Sequence, residues 1–193
     1  APLRGALDWL RDNLAQIYEE QMGPMMADPW QARNDYIDII VERSAKKLDS
    51  FLAGHASRPL TPVDTVQALR LLEMQRHELL MYTSCGWFFD EISGIETVQV
   101  MQYAGRAMQL AKEIDDSFDE RPFLKLLEKA PSNVSEFNNG AVIYRKFVDP
   151  AVVDLQKVGV HYAISSLFED YAEDTFIYCY EIEKLDFRKS QAG

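Results

Sequence analysis

Residues 87–91 set three aromatic rings, Trp87, Phe88 and Phe89, directly ahead of two acids, Asp90 and Glu91. Rings beside carboxylates are suited to carbohydrate: rings stack on the apolar faces of sugars, and acids accept the protons of their hydroxyls. Trp87, Phe88, Asp90 and Glu91 are therefore the candidate substrate contacts. Three consecutive rings cannot all face one core, and of Phe88 and Phe89 at least one is expected to be core. The bland alternative is that segment 81–96, far more apolar than a surface turn, lies buried under another domain. The two expectations converge, because ligands bind in clefts between domains.

Other reactive residues are less well placed. Glu73, His77 and Glu78 share one helix, but the run after His77 lacks the second histidine of a zinc-protease motif. The spacing from Glu73 to His77 is not that of a di-iron bundle either. The expectation is a solvated helix face with a local Glu–His pair, and no metal. His161 lies in an apolar helical stretch and is expected to be a core or interface histidine. Cys85 has no cationic neighbour to lower its pKa, so a buried thiol is expected. No phosphate loop, Cys-x-x-Cys pair or catalytic triad is present, and no cofactor is expected.

The elements that must hold these residues are mostly helical. Leu3, Leu7, Leu10, Leu14 and Ile17 form one apolar stripe, stopped by Gly23-Pro24. Asp28-Pro29 reads as a cap followed by proline at the first helical position, opening a helix that turns Trp30, Tyr36, Ile37, Ile40 and Val41 inward. Ser44 opens a continuation that Gly54 ends. Thr61-Pro62-Val63-Asp64 starts a helix over 62–83. Ser93 and Glu96 have capping-box spacing ahead of a helix to about residue 114. A helix near 122–129, a loop over 131–140 and a helix over 141–148 follow. Asp149-Pro150 repeats the cap-plus-proline signal, so a kink or a fresh start is expected there, with the helix from Pro150 reaching about residue 168.

Phe176, Tyr178, Tyr180 and Ile182 alternate with Ile177, Cys179, Glu181 and Glu183, the period of a strand with no evident partner elsewhere. The fold class is thus mainly α, a multi-helix bundle with one C-terminal β-strand. The expected division is a helical domain over 1–174 and a strand segment over 175–193. Ala1 stands where an initiator methionine would, so a fragment of a larger multidomain protein is expected.

Composition narrows the partners. The chain has 31 acidic against 20 basic residues, a net charge of -11, which disfavours nucleic acid and anionic membrane surfaces. No window reaches the roughly 18 apolar residues of a membrane span. Two cysteines, Cys85 and Cys179, fit free thiols in a reducing cytoplasm.

The stretch LEMQRHELLMYTSCGWFFDEISGIE over residues 72–96 resembles the domain of unknown function 3536 family. That is the helical C-terminal domain associated with glycoside hydrolase family 57, α-amylase/α-mannosidase-like proteins. APSNV over 130–134, PAVVDL over 150–155 and HYAISSLFE over 161–169 fit the same family. The resemblance implies an upstream catalytic barrel holding both carboxylates of a retaining glycoside hydrolase, so this chain carries no catalytic residue and is expected to be inactive alone. It further implies that the domain packs on the barrel and that Trp87-Phe88 helps to complete an α-glycan cleft. The alternative is a helical protein-interaction or assembly domain with no direct substrate contact.

Overall fold

The computed structural model describes residues 1–172, 174–177 and 180–185. The chain divides into two compact units, Ala1–Ala151 and Val152–Gly193.

In the first unit the N-terminal stripe becomes α1 (Pro2–Met22), whose Leu3, Leu7, Leu10, Leu14, Tyr18 and Met22 are buried. Asp28 caps α2 (Pro29–Asp35) by accepting from the Gln31 amide at 3.0 Å. A fresh turn, α3 (Ile37–Val41), follows, and Ser44 caps α4 (Ala45–His55). One inward face is corrected. Tyr36 is buried and Trp30 packs half-buried on the core as expected, but Ile37, Ile40 and Val41 are exposed, and Ala32 and Ile39 are buried with Tyr36 instead. Both sets have helical spacing, and the break at Tyr36 selects the second.

The long helix α5 (Pro62–Leu80) begins with a complete capping box: Asp64 donates its amide to the Thr61 hydroxyl, and its carboxylate accepts from the Thr61 amide at 2.8 Å. α5 and α6 (Ile95–Ile114) form the most extensive helix pair, and α1 packs on both. Ala68 on α5 and Ala104, Ala107 and Ala111 on α6 are fully buried, and such small side chains let helix axes approach closely. α7 (Arg121–Leu127) covers α1, and α8 (Gly140–Phe147) packs on α6 and α7. A Cβ on Gly105 would stand 2.9 Å from Val148 and 3.0 Å from the Tyr144 hydroxyl, so α6 needs glycine where it meets the α8 end.

In the second unit, α9 (Leu155–Ser165) starts at an Asp154 cap, later than Asp149-Pro150, which instead forms a 3₁₀ turn, Asp149–Ala151, at the end of the first unit. The C-terminal extended segment folds on itself. β1 (Asp174–Ile177) pairs antiparallel with β2 (Tyr180–Glu183), from Asp174 opposite Glu183 to Ile177 opposite Tyr180. The missing partner of that segment is therefore its own second half. Cys179 and residues 186–193 lie outside the described residues. Among the described residues, no helix is long and apolar enough to cross a membrane.

Candidate functional site

The ring-and-acid segment lies between α5 and α6, and two fixed points hold it. The first is a short 3₁₀ turn, Ser84–Trp87. Its Gly86 accepts a hydrogen bond from the Thr97 hydroxyl at 3.0 Å, and a Cβ there would stand 2.2 Å from Val100 Cγ2. Only glycine lets this backbone lie flat on α6.

The second fixed point is Glu91. Its carboxylate accepts from the Ser93 amide at 2.8 Å, the Ser132 hydroxyl at 2.7 Å and the Asn133 amide at 2.6 Å. The Asn133 side chain donates to the Asp90 carbonyl at 3.3 Å. One carboxylate thus ties residues 90–93 to the loop over 131–139, about forty positions onward. That loop is itself built: Asn138 takes the left-handed backbone at φ 56, and Asn139 caps α8. Desolvation works to raise the Glu91 pKa, but the hydrogen bonds from Ser132 and Ser93 outweigh it and bring the group down to about 2.

Between these points the rings divide. Trp87 is half-buried against the core, with the Arg4 guanidinium 5.6 Å from its ring centroid and 4.5 Å from that of Tyr82. The Trp87 indole N–H is buried with no hydrogen-bond partner among the described residues. Phe88 and Phe89 turn outward, 81% and 55% exposed, and meet edge to face with centroids 5.1 Å apart. The expectation that one of these two phenylalanines is core is corrected. Of the three rings Trp87 alone packs against the core, while the neighbouring pair forms a bare aromatic ledge. Asp90 is exposed beside it, whereas the Glu91 oxygens are engaged by protein donors. Ser132, Asn133 and Arg4 complete the arrangement and were not singled out by local sequence pattern; they come from distant segments.

The other reactive residues are redistributed. Glu73 accepts from the Tyr36 hydroxyl at 2.7 Å and from Arg76 at 3.2 Å. Glu78 is not on a solvated face: it is buried, and desolvation raises its pKa. His77 is held neutral, its pKa lowered to about 4 by burial and then by Arg76. Cys85 is exposed rather than buried, and His161 is exposed rather than core. Among the described residues, no three His, Cys, Asp or Glu side chains gather as a metal site would require.

A mainly helical domain with a fixed, outward aromatic loop is the class this geometry defines. Over residues 1–193 the chain matches the family described as Domain of unknown function (DUF3536), and it belongs to that family. Comparison with curated proteins and with solved structures returns no match.

Proposed function

We propose that this domain is the non-catalytic helical accessory module of a glycoside hydrolase family 57-like protein. It packs on an upstream catalytic barrel and supplies one wall of an α-glycan cleft. The observation carrying this is the exposed Phe88–Phe89 pair on a loop pinned at both ends by Gly86 and Glu91. A ring held out in water gains free energy when a flat apolar face covers it, and a pre-fixed loop loses little entropy on binding. Phe88 and Phe89 form the ledge, Trp87 backs it from the core side, Asp90 accepts sugar hydroxyls, and Glu91 positions the loop. The exposed thiol of Cys85 fits a reducing cytoplasm.

The second reading is a protein-interaction or assembly domain. One feature favours it: Glu91 is occupied by protein donors, which leaves the ledge more apolar than a sugar site with two free acids. The test is a titration of the chain with maltooligosaccharides, followed by Trp fluorescence, beside turnover of a protein joining it to a family-57-type barrel. The glycan reading expects Phe88→Ala to lower turnover without unfolding. Unchanged turnover together with loss of barrel docking would establish the second reading instead.

A further inference from the structure

A second feature of the first unit lies away from the aromatic ledge. A cleft of about 330 Å³ opens between the α3 end, α5 and α6, lined by Tyr36, Ile39, Ile40, Arg43, Glu73, Arg76, His77 and Arg106. Three arginines and one acidic residue line it, in a chain whose net charge is -11. Glu73 cannot neutralise all three, since it carries a single negative charge and is already paired with Arg76. Arg106 donates to the Gln109 side chain at 2.7 Å, and its ion pair among the described residues is with a distant acid, Glu113, at 3.9 Å. Arg43 is exposed and has no hydrogen bond or ion pair among the described residues. His77 adds a buried Nδ1 with no partner. Clustered like charges are unfavourable unless something of opposite sign shares them.

We propose that this cleft binds a small organic phosphate monoester, its phosphate gripped by Arg43, Arg76 and Arg106 and its body resting on Ile40. Planar guanidinium forks match the tetrahedral oxygens of phosphate in paired hydrogen bonds. The cleft volume is at the small-ligand end of the usual range. The half-exposed Ile40 supplies an apolar wall that inorganic phosphate alone does not use.

The test is calorimetric titration of the full chain with glycerol 3-phosphate, inorganic phosphate and citrate at fixed ionic strength. Saturable binding of glycerol 3-phosphate is expected, tighter than inorganic phosphate. Arg43→Ala should weaken it roughly tenfold, about the effect of one charge-assisted contact, with the melting temperature unchanged because Arg43 has no structural partner. Arg76→Gln should weaken it as well, and a shift of the His77 imidazole signals on titration would place the ligand in the cleft. Absence of saturable phosphate binding overturns the proposal, as does binding that Arg43→Ala and Arg76→Gln both leave intact. Binding of citrate but not of glycerol 3-phosphate overturns the ligand class.

Discussion

The α1–α5–α6 core and the loop over 84–93 solve opposite problems with opposite materials. In the core, apolar side chains such as Leu10, Leu71 and Met101 are removed from water, and helix backbones satisfy their own polar groups. In the loop, polar groups turn inward and two of the three rings turn outward: Gly86, Thr97, Glu91, Ser132 and Asn133 fix the backbone, while Phe88 and Phe89 stay bare. A core gains stability from burial. A loop that displays rings cannot use that source, so its order has to come from hydrogen bonds and close packing. The contrast separates residues that stabilise the fold from residues that the proposed function uses for contact.

Substitutions should therefore rank by region. The largest effect is expected in the core, where Leu10→Ala should cost about 3–4 kcal/mol and lower Tm by roughly 10 °C in thermal melts. Gly86→Ala comes next. Its Cβ would overlap Val100, and about 2 kcal/mol is expected from denaturant titration. If Gly86→Ala proved neutral, the fixed-loop account would fail on that side.

Glu91→Gln should cost about 1 kcal/mol, since its partners lie near water and screening reduces their worth. Its clearer signature is pH. The Glu91 pKa falls from 4.5 to about 2 on folding, so the unfolded chain takes up the proton first as pH drops. The stabilisation is complete above about pH 4.5 and drains away toward about pH 2. His77, whose pKa falls from 6.5 to about 4, adds a separate loss between those values. Denaturation midpoints measured from pH 7 to 3 should thus fall continuously, and Glu91→Gln should make the lower part of the fall shallower while leaving the upper unchanged, the remaining low-pH loss coming from other carboxylates with lowered pKa such as Asp8 and Asp115. The smallest stability effect belongs to Phe88→Ala, below about 0.5 kcal/mol, because the ring is 81% exposed.

What could be read in the residues follows the range of the interactions. Asp28-Pro29 and Thr61-Pro62-Val63-Asp64 were legible because a cap is made within four residues. Ser93 and Glu96 have the same spacing but do not make the box. Gly94 is the cap of α6, and the Ser93 amide is taken by Glu91 at 2.8 Å. That competition depends on Glu91 being anchored by Ser132 and Asn133, which no local pattern reveals. The outward turn of some ring in 87–89 was legible from adjacency alone. The role of Glu91 as a tie between loops was not, since both ends had to be in place first. The same limit hid Ile39 as the buried face of α3, where two overlapping helical stripes were equally apolar.

The central claim is that the Phe88–Phe89 ledge exists for contact and not for stability. Its most direct test measures kcat/KM on α-glycan and Tm together, for Phe88→Ala and the parent sequence, in a protein joining this domain to the proposed family-57-type barrel. Loss of a stacking platform should lower kcat/KM by roughly tenfold, with Tm held to within about 1 °C. A Phe88→Ala variant that melts clearly earlier but keeps the parent kcat/KM per folded molecule would contradict the account.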